Sequence, residues 1–347
     1  MKNLLILLFL FPLTVFAQED TTVVVVSGQE AELLYNEGLQ KFQENNYEEA
    51  INKFSEAIKI DSKFEKAYFN RGSVRLQMKD YDGAIADFNK ALELNPSLDK
   101  AFFSRGYTYL NKGKYEEAIT DFNNAIQLGY TKESVYYYKG VALFELGKYE
   151  EAEVSFSDAI TKNESYVYAY NDRGSTRRML GKFQEALEDY TKAINYSQGG
   201  NAFIYDNRGT LKRDYLDDLQ GSISDYDQAI KSDSTFYIAY NNRGRAKYLL
   251  GNYKDAIADF ETALKFKPDY AFAWNNLGSV KFQLKDYEGA VEAYNKAIEI
   301  NPDYGHAYLN RGSAQELLKQ FNKACDDWEK ALNLGVVEAE DYLKDCK

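Results

Sequence analysis

Residues 274–302 read WNNLGSVKFQLKDYEGAVEAYNKAIEINP, and their spacing decides the fold. Gly278 is followed twelve residues later by Ala290, then by Tyr294, Ala297 and finally Pro302. Intervals of three and four put small and aromatic side chains on one helical face, and a proline beyond that face stops the helix. The segment therefore holds two helices.

The same pattern returns along the chain. Glycine recurs at 38, 72, 106, 140, 174, 209, 244, 278 and 312, at intervals of 34 residues with two of 35. An alanine follows twelve residues after most of them, with Ser222 one place late. An aromatic comes four residues further in every copy, from Phe54 to Trp328, and an alanine three beyond that, from Ala57 to Ala331. Gly113-Lys114-Tyr115 and Gly147-Lys148-Tyr149 mark turns between the two halves, and Pro96, Pro268 and Pro302 follow the second half. A glycine inside a helix costs about 1 kcal/mol relative to alanine. Repeating that cost nine times makes sense where the missing side chain lets helices approach closely.

These nine copies resemble the tetratricopeptide repeat family, whose W-x-x-L-G opening is present as Trp274 to Gly278. The resemblance implies an all-α, right-handed α-solenoid of nine helical hairpins. The expected repeats are 31–64, 65–98, 99–132, 133–166, 167–200, 202–236, 237–270, 271–304 and 305–338, with a short capping helix over 339–347. Extra residues at Gln198-Gly199-Gly200-Asn201 and within Asp214-Tyr215-Leu216-Asp217-Asp218 flank repeat six, and a hinge is expected there.

One pair of positions varies in concert. The residue before the glycine is Arg71, Arg105, Arg173, Arg208, Arg243 or Arg311 in six repeats, and the residue before the second-half aromatic is then Asp87, Asp121, Asp189, Asp225, Asp259 or Asp327. Repeat one reverses the charges, with Glu37 and Lys53, and repeat eight has uncharged Leu277 and Ala293. Repeat four has Lys139 with Ser155. Linked exchange predicts a direct ion pair between the two helices of a hairpin in seven repeats.

The N-terminus reads differently. Lys2, an apolar run from Leu4 to Phe11, and Val15-Phe16-Ala17 form the pattern of a secretory signal peptide, residues 1–17. A flexible lead-in over 18–30 is expected to follow, including four valines at 23–26. Export to the periplasm or beyond the cell is the expected location. No cysteine near the cut offers a lipid anchor, and no later segment reads as a transmembrane span. The two cysteines, Cys325 and Cys346, are expected to form one disulfide in an oxidising compartment.

Charge and composition narrow the function. A net charge of −12 opposes phosphate backbones, so nucleic acid is not an expected partner. His306 is the sole histidine, which removes histidine triads and multi-histidine metal sites, so no catalysis, metal or cofactor is expected.

Tetratricopeptide repeat proteins use their first helices to line a groove for extended peptides, which implies a binding scaffold for protein or peptide partners. Three residues before the glycine stand Tyr35, Phe69, Phe103 and Tyr137, then Asn171, Asp206, Asn241 and Asn275. Four after it stand Phe42, Leu76, Leu110 and Phe144, then Arg178, Arg213 and Tyr248. The groove is thus expected to turn from aromatic to polar near repeat five. Two before the glycine runs a ladder of Asn36, Asn70, Asn207, Asn242, Asn276 and Asn310, whose amides suit a peptide backbone or, alternatively, neighbouring groups in the protein itself. The family's carboxylate clamp is not reproduced, because Tyr35 and Leu39 occupy its first-helix positions. A glycan or small-ligand receptor using the aromatics, or self-association into a homo-oligomer, is the alternative expectation.

Overall fold

The computed structural model describes residues 27–198, 200–344 and 346, so the expected signal peptide and most of the expected lead-in lie outside it. The described residues form two compact units, divided after Ala101. The first holds α1 (Ser27–Gln43), α2 (Tyr47–Ile60), α3 (Glu65–Gln77) and α4 (Tyr81–Leu94). Helix α1 already starts at Ser27, inside the expected lead-in. The boundary falls within α5 (Asp99–Asn111).

The second unit continues with α6 (Tyr115–Gln127), α7 (Glu133–Glu145), α8 (Tyr149–Lys162), α9 (Val167–Met179) and α10 (Phe183–Tyr196). It then runs through α11 (Ala202–Tyr215), α12 (Leu219–Ser232), α13 (Tyr237–Leu249), α14 (Tyr253–Phe266), α15 (Ala271–Gln283) and α16 (Tyr287–Ile300). It ends with α17 (Gly305–Leu317), α18 (Phe321–Asn333) and the short α19 (Ala339–Leu343). Odd-numbered helices up to α17 are the first (A) helices of hairpins and even-numbered ones the second (B). Among the described residues no helix is long and apolar enough to cross a membrane.

Sequence dictates the hairpin locally. Each A helix ends in a turn that needs one left-handed residue, supplied by glycine at 113, 147, 181 and 251 with φ of +71 to +77°. Asn45, Lys79, Asp217, Lys285 and Lys319 adopt the same conformation elsewhere, at the steric cost that a Cβ brings. Helices α7, α9, α11, α13, α15 and α17 touch in succession, so in the second unit the A helices form the inner wall of the stack.

The repeated glycine has a physical partner. A Cβ built on Gly278 would meet Tyr294 Cε1 at 2.6 Å, and one on Gly244 would meet Phe260 Cε1 at 2.7 Å. The second-helix aromatic therefore lies flat on its own hairpin's glycine. The repeated alanines around it are wholly buried, as at Ala256, Ala263, Ala290 and Ala297, because the helices approach too closely for anything larger.

The expected hinge at repeat six is not where the chain divides. The inserted residues are absorbed locally: α11 is 14 residues long where α9 and α13 have 13, and Gln198 and Asp217 turn through left-handed φ of +55° and +52°. Helices α10, α11, α12 and α13 remain in successive contact. At the C-terminus Cys325 and Cys346 are disulfide-bonded, with Cα atoms 5.7 Å apart, and the Tyr342 ring lies 5.1 Å from Trp328.

Replacing Gly278 by alanine gains helix propensity but drives a methyl into Tyr294. The collision is expected to dominate, with a net loss of about 1–3 kcal/mol in urea unfolding. A variant as stable as the parent would contradict the close approach.

Candidate functional site

The inner wall is built on a skeleton of buried ion pairs. Arg71 donates from Nε and Nη2 to Asp87 at 2.9 and 2.7 Å, a two-pronged contact within one hairpin. Arg173–Asp189, Arg208–Asp225, Arg243–Asp259 and Arg311–Asp327 repeat the fork at 2.6–3.0 Å, and Arg105 pairs with Asp121 at 2.7 Å. Lys53 and Glu37 form the reversed pair at 2.8 Å. Each of the six aspartates is buried. Burial raises the Asp121 carboxyl above its usual range despite Arg105. Desolvation opposes the charge on Arg243, yet Asp259 and Asp227 hold its pKa above the ordinary guanidinium value.

Two features of this skeleton escaped the sequence reading. The remaining guanidinium nitrogen reaches the preceding repeat's B helix: Arg71 to Ser55 at 2.8 Å, Arg173 to Ser157 at 2.9 Å, Arg243 to Asp227 and Arg311 to Asn295 both at 2.6 Å. A second cation, three residues after the glycine, joins four of the aspartates. Arg75, Arg177, Lys212 and Lys247 lie 2.8–2.9 Å from Asp87, Asp189, Asp225 and Asp259. In the last repeat Gln315 stands at that position, and Asp327 has Arg311 alone among the described residues. The signal was a second basic column four residues after the arginine.

The asparagine ladder is first of all a tie between repeats. Nδ2 of Asn207, Asn242, Asn276 and Asn310 donates to Asn171, Asp206, Asn241 and Asn275 of the preceding A helix, at 2.8–3.0 Å. In the first unit Asn70 donates to the Tyr35 hydroxyl at 2.9 Å, and in the second Tyr137 donates to Asp172 at 2.8 Å. Asn36, in the first repeat, is exposed. One N–H of each of the other amides is thus committed inward. Asn70 spends its second on the Lys66 carbonyl at 3.0 Å, and the Asn242 side-chain carbonyl accepts from Asn241 at 3.5 Å. Asn207, Asn276 and Asn310 keep their second N–H and carbonyl for the groove.

The aromatic half of the groove is more buried than expected. Tyr35, Phe69, Phe103 and Tyr137 are half-buried, with ring centroids 5.7–6.0 Å from Phe54, Phe88, Phe122 and Phe156 below. Burial pushes the Tyr137 hydroxyl well above its usual range, and the neighbouring Asp172 adds to the shift.

Exposed aromatics lie elsewhere on the A helices, six residues before the glycine. Tyr168, Phe203 and Phe272 are 59%, 63% and 50% exposed. Around Phe272 opens a cleft of about 520 Å³ in repeats seven to nine. Its rim is Tyr270, Phe272, Tyr304 and His306, its floor is the amides of Asn241, Asn242, Asn275, Asn276 and Asn310, and Arg245 projects into it. Beside this cleft Asp206 is deeply buried, and desolvation pushes its carboxyl up to about 6, against donation from Asn242 and the charges of Arg213 and Arg178. Among the described residues no cluster of His, Cys, Asp and Glu has the geometry of a metal site.

Comparisons with known proteins agree with this architecture. Four family models, each described as a tetratricopeptide or TPR repeat, match the chain. One covers 65–98 and 271–304, another 38–79, 106–147 and 244–285, a third 88–120 and 293–326, and the fourth 137–200. Together they span more than two-thirds of the sequence. No curated protein matches it.

Among solved structures, a tetratricopeptide repeat protein from Parabacteroides merdae superposes with a TM-score of 0.59 at 18% identity, over 71% of this chain and 97% of that one. The C-terminal part of a TPR repeat-containing protein from Cytophaga hutchinsonii gives 0.56 at 19%, over 70% and 98%. The APC/C hetero-tetramer Cut9–Hcn1 gives 0.57 at 16%, over 91% and 76%. At these identities the likeness is one of fold.

Removing Arg311 strands Asp327 without a cation, whereas removing Arg243 leaves Lys247 beside Asp259. Arg311→Ala is expected to cost about 3–5 kcal/mol and Arg243→Ala roughly half of that. Equal losses in chemical unfolding would show that the second cation contributes nothing.

Proposed function

The chain belongs to the tetratricopeptide repeat family, and from that premise we propose that it is an exported scaffold that holds an extended peptide segment of a protein partner in the inner groove of repeats seven to nine. That the repeats form a protein-interaction scaffold follows from the family. The finer reading is carried by one observation, the cleft of about 520 Å³ in which amides form the floor and aromatics the rim.

The chemistry of the cleft suits a peptide backbone. An extended strand presents N–H and C=O groups at regular intervals, and Asn276 and Asn310 each retain one donor and an acceptor to meet them, Asn242 one donor. Backbone recognition of this kind is tolerant of sequence. Selection then falls to the side chains that reach Phe272 and His306, both exposed and neither part of the hairpin core. A stacking receptor for glycans is less well supported, because the rings expected to serve it lean on core phenylalanines.

Export is supported by two independent features: the signal-like residues 1–17 and the Cys325–Cys346 bond, which persists in oxidising compartments. N-terminal sequencing of protein from the periplasm or medium is expected to begin at Gln18. Material retained in the cytoplasm with Met1 intact would refute export.

Selection of binders from a random-peptide library tests the groove. Enriched peptides are expected to lose about tenfold or more in affinity for a Phe272→Ala/His306→Ala variant. They should bind a Phe321→Ala variant unchanged, since Phe321 is 59% exposed at the start of α18 and away from the cleft. No enrichment, or equal losses in both variants, would reject the reading.

A further inference from the structure

Arginine is almost never left unpaired in this molecule. Of eleven arginines in the sequence, nine hold an Asp or Glu at 2.6–2.8 Å. Among the described residues the exceptions are Arg178 on α9 and Arg245 on α13, and both face the inner wall of the second unit. On that wall Arg213, on the intervening α11, is neutralised by Asp214 through two contacts of 2.7 and 2.8 Å. The wall therefore carries two guanidinium groups with no carboxylate at ion-pair distance among the described residues, although Asp206 acts on Arg178 and Asp214 on both through space, in a chain whose net charge is −12.

Neither site satisfies its arginine from within. Arg178 lines a recess of about 240 Å³ with Phe144, Glu145, Asp172 and Ser175, and its Nε is buried with no hydrogen-bond partner. Asp172 in that recess already accepts from Tyr137 and Asn171 at 2.8 and 2.9 Å. Arg245 projects into the amide-floored cleft, where desolvation and the like charge of Arg213 hold its pKa below the usual guanidinium value. A guanidinium withdrawn from water without an anion is unfavourable, and its planar fork matches a carboxylate.

We propose that the segment held in the cleft of repeats seven to nine extends along the inner wall to repeat five, where Arg178 stands on α9, and that Arg245 and Arg178 each receive one of its carboxylate side chains, so that the groove selects peptides with two acidic residues. Helices α9, α11 and α13 follow one another at inter-axial steps of about 8–10 Å, so the two arginines lie roughly 16–20 Å apart, about five or six residues of extended chain. A chain terminus supplies one α-carboxylate, so at least one of the two anions is a side chain. The inference rests on the peptide-groove reading above and adds the class of residue that is selected.

Fluorescence anisotropy with C-terminally amidated Ser/Ala peptides tests it, using one peptide with two glutamates about six residues apart and a control with glutamine at both places. The full chain is expected to bind the glutamate peptide about tenfold or more tightly than the glutamine one. Arg178→Gln/Arg245→Gln should erase that preference while circular dichroism shows the helical fold retained. Equal affinity for the two peptides, or a preference that survives in the double variant, would overturn the proposal. If Phe272→Ala/His306→Ala weakens binding while the arginine variant does not, this inference falls and the groove reading stands. If neither peptide binds and sodium alginate does, in an arginine-dependent way, the wall is a polyanion site and both peptide readings fail.

Discussion

The fold depends on what one guanidinium group does in six of nine repeats. Two of its nitrogens close on an aspartate of the partner helix, and at Arg71, Arg173, Arg208, Arg243 and Arg311 a third reaches back to the preceding repeat, as Arg71 does to Ser55. The same plane lies 5.5 Å over Tyr68, and Arg173, Arg243 and Arg311 lie equally close over Tyr170, Tyr240 and Tyr308. A rigid fork with five donors can fix two helices and the next hairpin at once, which a lysine cannot. Repeat four, with Lys139 and Ser155, and repeat eight, with Leu277 and Ala293, dispense with it and rely on apolar packing.

Around that fork the other repeated residues divide the work. Glycine and alanine set the distance between the helices, and the aromatic fills the space so defined. The ladder of Asn207, Asn242, Asn276 and Asn310 ties each A helix to the one before it. These ties are short, local and serial, as expected of a solenoid in which a repeat is stabilised by its neighbours. The disulfide and the packing of Tyr342 on Trp328 then cover the ninth hairpin.

In the proposed function, the wall left over from this construction is where a partner is read. Amides already held in place by inter-repeat bonds present their remaining groups in a fixed orientation, so little ordering is needed on binding. Unlike the core aromatics, Phe272 and His306 are exposed, with Phe272 touching only Tyr270 and Tyr304 at the cleft among the described aromatic contacts. Arg178 and Arg245 stand out against the same background, since every other arginine is consumed by the scaffold.

Most of the architecture was legible in the sequence because a repeat compares itself with eight copies of itself. The glycine, alanine and aromatic columns gave the hairpins, and the linked exchange of Arg71/Asp87 with Glu37/Lys53 gave the ion pairs without any structure. The site was less legible. Tyr35, Phe69, Phe103 and Tyr137 read as groove residues from helical spacing, but spacing cannot tell an edge from a face, and the rings settled on the core. Nor could it tell that the asparagines spend one hydrogen on a neighbour 35 or 36 residues away. Periodicity fixes which side of a helix a residue occupies, because that follows from local backbone geometry. Which polar groups are satisfied and which remain open to a partner depends on distances between repeats, and only the packed structure sets those.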